Sequence, residues 1–165
     1  MVPKVPPTPS KAYLANNLSG GEQMSDKFEI DHRLAANIHF ADWELSTVFL
    51  ANDSRFPWLI LVPRRGGVRE LHDLAADDQQ TLMTEMMRAS KTLVRAFQPD
   101  KVNIGALGHM VPQLHIHVLG RRQDDPLWPD PVWGPGEREP HKKEPYTAEQ
   151  RDKALQDLAT ALSRD

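Results

Sequence analysis

Residues 113–120 read Gln-Leu-His-Ile-His-Val-Leu-Gly, with polar and apolar side chains alternating as far as Val118. In an extended strand alternate side chains share a face, so Leu114, Ile116 and Val118 point one way and Gln113, His115 and His117 the other. One face is core. The other is a row of one amide and two imidazoles, spaced about 6–7 Å apart. Imidazole is the side chain that, near neutral pH, can supply a nucleophilic lone pair, a hydrogen-bond donor or a proton. Held on a rigid strand, such a row suits a phosphate group. Two other readings fit the same spacing: the water-facing side of an edge strand, or two ligands of a metal ion, with His109, His72 or Asp124 completing the set. Upstream lies the loop Gly108-His109-Met110-Val111-Pro112. Gly105 and Gly108 bracket its start and would let backbone N–H groups approach phosphate, although glycine in a strand connection also has an ordinary turn role.

The elements that must hold this row are legible from periodicity. Residues 46–53 and 58–64 are β-branched or apolar runs separated by Asn52-Asp53-Ser54 and Pro57, the pattern of a β-hairpin. Over residues 77–97 the period changes: Leu82, Met86, Ala89, Leu93 and Phe97 share one stripe of a helix. Asp77 and Asp78 complement the dipole in its first turn, and Pro99 prevents its continuation. The methionines read as core filler. Residues 101–107 and 113–120 alternate again and form a second strand pair. Thr147 and Gln150 have the spacing of a capping box, opening a last helix whose buried stripe is Leu155, Leu158, Ala159 and Leu162. Strand pairs around one long helix, rather than alternating β and α units, predict an α+β fold: an antiparallel sheet with helices on one face. Such a helix has no place in a cupin-like barrel of many short strands, which counts against the metal reading.

The chain has 165 residues, 20 Lys+Arg, 23 Asp+Glu and no Cys. That length suits one domain, burying about 68–70% of the surface its unfolded chain exposes. The absence of cysteine excludes disulfides, thiolate zinc sites and a Cys nucleophile. A net charge of −3 gives no long-range pull toward nucleic acid but is compatible with a small phosphorylated ligand. No apolar run reaches the roughly 20 residues a membrane-spanning helix requires. The expectation is a soluble, cytoplasmic protein with neither a membrane nor a nucleic-acid partner. Proline crowds both ends. Residues 1–23 read as a disordered leader, with Met24 as an alternative start. Residues 24–122 read as the domain, 123–146 as a Pro/Trp-rich tail packing on it, and 147–165 as the C-terminal helix. Arg64-Arg65 and Arg121-Arg122 sit at strand ends, in the pattern of solvated caps, with direct phosphate contact as the alternative.

These residues together resemble the histidine triad (HIT) superfamily, whose signature is three histidines alternating with apolar residues on a strand. The resemblance runs from about Phe28 to Arg122, through VFLAND, LILVPRR, LHDLAADDQ and VNIGALGHMVPQLHIHVLGRR. It is nearest to bacterial members with Gln in place of the first histidine and a Trp/Pro-rich tail, here DDPLWPDPVWG. The resemblance implies a HIT-like antiparallel sheet with a long central helix and a C-terminal helix, arranged as a homodimer. It also implies cleavage at the α-phosphate of nucleoside phosphoramidates or dinucleoside polyphosphates through a covalent nucleotidyl-histidine, with no metal or cofactor.

Residue by residue, the resemblance makes His115 the nucleophile, its second nitrogen protonated and held by a backbone carbonyl. His117 becomes the donor to the non-bridging oxygens. Gln113 stands at the first triad position, which has an orienting role; an amide can hydrogen-bond there but cannot carry a proton charge. Where many relatives place a Gln and a Ser or Thr near the leaving group, this chain has His109 and Met110, so His109 is the candidate general acid. Asn52 falls where ribose hydroxyls are bound and Asn103 near the phosphate, with Gly108 in the phosphate loop. Trp58 occupies a place where many relatives have Gly-His, so the role of that histidine is missing. Trp128 and Trp133 can stack on a base, cover a neighbouring subunit or pack on the domain. A different class of answer is a nucleotide-binding sensor that lost turnover through Gln113 and Met110.

Overall fold

The computed structural model describes residues 28–133 and 143–164; the expected leader and the middle of the Pro/Trp-rich tail lie outside them. Along the chain the described elements are helix α1 (His32–Ala35), strands β1 (Ile38–Asp42), β2 (Ser46–Leu50) and β3 (Trp58–Pro63), and a 3-10 turn (Leu71–Asp73). Helix α2 (Ala76–Phe97), strands β4 (Lys101–Gly105) and β5 (Ile116–Arg121) and helix α3 (Ala148–Leu162) follow. The strands form one five-stranded sheet in the order β1-β2-β3-β5-β4, and each neighbouring pair is antiparallel. The fold is α+β, as the two strand pairs and the long helix imply. β1, with five residues, and α1, with four, are too short to announce themselves by periodicity.

Alternation splits the sheet into two unlike faces. Val48, Leu50, Leu59, Leu61, Ile116 and Val118 pack with Leu82, Ala89 and Leu93 of α2 and Leu158 of α3 in the main core. The opposite face carries Phe49, Ile60 and Val62, covered by Leu34 of α1 and Val111 of the loop before β5. His115 and His117 lie on this second face, opposite α2 and α3, both under 10% exposed at 6% and 9%. This disagrees with a water-facing edge. β5 is interior to the sheet, between β3 and β4.

Two details differ from the periodic reading. In α3 the buried residues are Ala154, Leu158 and Ala161, whereas Ala159 is exposed. The face is rotated because small alanines allow close approach to α2, a choice that leucine spacing conceals. The Thr147–Gln150 capping box is present, with the Thr147 hydroxyl accepting from the Gln150 N–H at 3.2 Å. Arg121 also departs from the solvated-cap pattern. Its guanidinium is 2% exposed and pairs with Asp125 through bonds of 2.6 and 2.8 Å. It also donates to the Asp130 carbonyl at 2.9 Å. The rings of Phe56 and Trp128 lie 6.0 and 5.8 Å from it. This buried pair fastens the segment after β5, where Leu127 and Val132 pack on Phe56 and Leu119.

Gly120 marks a close approach on the helix side of β5. A Cβ there would lie 2.8 Å from Pro57 Cγ and 3.1 Å from Pro99 Cβ, both in stiff rings. Gly120→Ala is therefore expected to destabilise the fold by about 1–3 kcal/mol, seen as a lower urea midpoint at unchanged m-value.

Candidate active site

The two buried imidazoles hold opposite tautomers. Nδ1 of His115 lies 2.7 Å from the backbone carbonyl of Gln113. A carbonyl oxygen only accepts, so Nδ1 carries the proton and the neutral ring has its lone pair on Nε2. Nδ1 of His117 lies 3.1 Å from Nε1 of Trp58. An indole N–H only donates, so this Nδ1 is bare and the neutral ring carries its proton on Nε2. The rings meet edge to face with centroids 4.8 Å apart. A lone pair and an N–H thus stand side by side.

Burial, then the neighbouring His115 and the Lys143 ammonium, push the His117 pKa down to about 4. The ring is neutral through the physiological range. Because the folded value lies below the ordinary histidine value of 6.5, the unfolded chain binds more protons between these limits. The contribution to stability is complete above about pH 6.5 and is lost as pH falls toward 4. Denaturant titrations at pH 4.5 and 7.5 are expected to show a drop on the order of 3 kcal/mol that His117→Phe removes.

Both rings line a cleft of about 420 Å³. Its apolar walls are Leu34, Ile60, Trp58 and Trp133, its polar groups are Arg33, Asn37 and Lys143, and residues 107–111 form one side. Flat aromatic and aliphatic walls accept a heterocycle, and the cations favour an anionic ligand. Trp133, from the Pro/Trp-rich tail, lies 6.1 Å from the His117 ring at a tilt of 32°. It reaches this position over Gly105, where a Cβ would sit 3.3 Å from the indole. Trp128 instead covers Arg121.

Gln113 uses both ends of its amide on the backbone. Its Nε2 donates to the Glu29 carbonyl at 2.8 Å, and its Oε1 accepts the Asp31 N–H at 2.9 Å. It pins the segment before α1 rather than lining the cleft. Asp31 caps α1 and accepts from Arg33 at the backbone N–H and, through the side chain, at 2.8 and 3.0 Å. These Arg33 bonds hold its carboxyl far below the usual carboxylate range. Arg33 in turn donates to the Met110 carbonyl at 2.6 Å. A chain of contacts thus runs from Gln113 to the loop that flanks His115.

In that loop Gly108 has φ +67°, a left-handed conformation that glycine adopts without a Cβ penalty. His109 is exposed and lines the main cleft. It also lines a smaller one of about 150 Å³ that it shares with His115, Arg69 and Glu70. Met110 is 82% exposed. Asn52 is not on the cleft wall: its Oδ1 accepts the Tyr146 N–H at 3.0 Å, helping to fix the segment that brings Lys143 to the site. Asn103 pairs with Leu119 across the ladder and so shares the histidine face, without lining the cleft. Arg33, Asn37 and Lys143 escape sequence reasoning because they come from segments with no motif. Among the described residues no group of three or more His, Cys, Asp or Glu could hold a metal ion, and His72 and Asp124 are not brought to the histidine pair.

The model of the HIT domain matches residues 35–124. A histidine triad protein from Marinobacter aquaeolei VT8 is 42% identical over 84% of this chain and 98% of its own, with a TM-score of 0.76. One from Sinorhizobium meliloti 1021 is 39% identical over 83% and 98%, also at 0.76. A third, from Bradyrhizobium japonicum, is 37% identical over 82% and 98%, again at 0.76. No curated protein matches. With the family's domain spanning more than half of the chain and its fold reproduced around His115 and His117, the chain belongs to the histidine triad family.

Proposed function

We propose that the protein is a nucleotidyl-transferring hydrolase acting at the α-phosphate of nucleoside phosphoramidates or dinucleoside polyphosphates. The observation that carries this reading is the pair of complementary tautomers, a bare Nε2 on His115 beside an Nε2–H on His117, over a cleft with aromatic walls and cationic groups. Nε2 of His115 attacks the α-phosphorus, forming an N–P bond as the bond to the leaving amine or phosphate breaks and the leaving group departs with the electron pair. His117 donates to a non-bridging oxygen as negative charge grows there. His109 gives a proton to the leaving group. Water, giving up a proton to His109, then attacks phosphorus as the N–P bond breaks, releasing the nucleoside monophosphate and restoring neutral His115 and protonated His109.

This reading includes a cytoplasmic homodimer. β4 is an edge strand, and Ile104 on it and Met83, Met87 and Val94 on α2 leave apolar surface exposed, a combination that a second copy could cover. No described helix is long and apolar enough to cross a membrane.

The experiment is turnover of two adenosine 5′-phosphoryl substrates, one with a poor alkylamine leaving group and one with a good nitrophenolate. Wild-type protein is expected to cleave both. His109→Gln is expected to slow the amine substrate by about 100-fold or more, within the range for a lost general acid, and the nitrophenyl ester far less. An equal effect on both removes the acid role. Tight AMP binding without turnover of either supports the sensor reading instead.

A further inference from the structure

We infer that Trp58 is a positioning residue that locks His117 in the neutral Nε2–H state through its indole N–H. The inference rests on the proposed reading of His117 as the donor to a phosphoryl oxygen. It adds what sets that donor, and why a tryptophan stands there.

The sheet register makes the contact. Trp58 opens β3 opposite Leu119, two residues from Ile60, which is opposite His117. Trp58 and His117 therefore share a face as diagonal neighbours, and the long indole spans the diagonal to place Nε1 at 3.1 Å from Nδ1. The ring centroids are 5.3 Å apart at 65°, an edge contact that fixes the imidazole plane as well.

The chemistry of indole makes the contact selective. A hydroxyl or a water molecule in its place could donate or accept and would tolerate either tautomer. An indole N–H can only donate, so it satisfies one His117 state out of three. It opposes the Nδ1–H tautomer, which would turn Nε2 into a lone pair facing the phosphoryl oxygen. It equally opposes the imidazolium, which has an N–H at both nitrogens. The charged and titratable groups acting on His117 are His115 on the same strand and Lys143 before α3, and neither offers a carboxylate that would favour protonation. Trp133 covers the ring from the tail. The donor is therefore a neutral N–H whose state does not change across the working pH range. The departure at Trp58 and the tautomer of His117 are one feature of this chain.

The test compares wild type with Trp58→Phe and with Trp58 replaced by β-(3-benzothienyl)alanine, which puts sulfur in place of N–H and keeps the shape. The first readout is the ¹⁵N NMR tautomer of His117 in the protein alone, and the second is kcat and KM on the AMP alkylphosphoramidate across pH. Wild type is expected to show Nε2–H throughout the range from about pH 5 to 8. Both variants are expected to show mixed tautomers and protonation at higher pH than wild type. Their kcat should fall roughly 10- to 100-fold, the size typical of a lost orienting partner, with KM little changed. A wild-type His117 that carries its proton on Nδ1, or is charged at neutral pH, overturns the inference. So does a benzothienyl variant with unaltered tautomer and kcat. Absence of turnover in wild type would sink the hydrolase reading alone, because the NMR result still decides the role of Trp58.

Discussion

His115→Asn is expected to abolish turnover, with kcat falling about 10⁴-fold or more, while AMP affinity changes little. His115 supplies the only Nε2 lone pair in the pair of rings, because Nδ1 is tied to the Gln113 carbonyl and His117 presents N–H. Asn has no comparable nucleophile. Most of the cleft wall comes from other residues, among them Trp58, Ile60, Trp133, Arg33 and Lys143, so binding survives. Stability should hardly move, because the short Asn side chain can still donate toward the carbonyl that His115 satisfies. Steady-state kinetics, calorimetric titration with AMP and thermal unfolding check the three parts. A tenfold loss of kcat, or a collapse of affinity with it, would assign His115 a binding rather than a covalent role.

Asp125→Ala should cost about 3–5 kcal/mol, because it leaves the Arg121 guanidinium buried without its counter-charge. An exposed ion pair of the same geometry would contribute less than about 1 kcal/mol. The loss also takes an acceptor from the Leu127 N–H at 2.9 Å and loosens the segment that carries Trp133 to His117. Thermal unfolding should move down by roughly 10 °C, and AMP affinity should fall with it. The double variant Arg121→Leu with Asp125→Ala is expected to recover part of the stability, since leucine can pack against Phe56 and Leu119. Recovery to wild type in stability but not in affinity would separate the packing of the tail from its place in the cleft.

What the sequence could reveal follows the range of each signal. The strict alternation over residues 113–118 was legible because it depends only on the pleat, and it placed Gln113, His115 and His117 on one face. The hairpins and α2 were legible for the same local reason, and Thr147 announced α3 through its capping box. Contacts across the sheet were not. Trp58 read as a missing histidine, because nothing within a few residues says that its indole meets His117 from the next strand. The resemblance gives Gln113 an orienting role, and its amide holds the segment at Glu29 and Asp31, 84 and 82 positions away. Arg121 read as a solvated cap, although Asp125 four residues later was the clue to a partner. The resemblance puts Asn52 at a ribose site and its Asn-Asp sequence suggests a turn; the bond from the Tyr146 N–H to its Oδ1, 94 positions away, is visible in neither.

Turnover of the proposed kind passes through a covalent bond between nucleotide phosphorus and one ring nitrogen. The most direct measurement is acid-free rapid quench of the protein with adenosine 5′-phosphoramidate, followed by peptide mapping by mass spectrometry. The expected result is a nucleoside monophosphate adduct on the peptide containing His115, formed no slower than turnover, decaying as AMP appears, and missing in His115→Asn. Steady product formation with no adduct at any time, or an adduct on His117 or His109 instead, would contradict it.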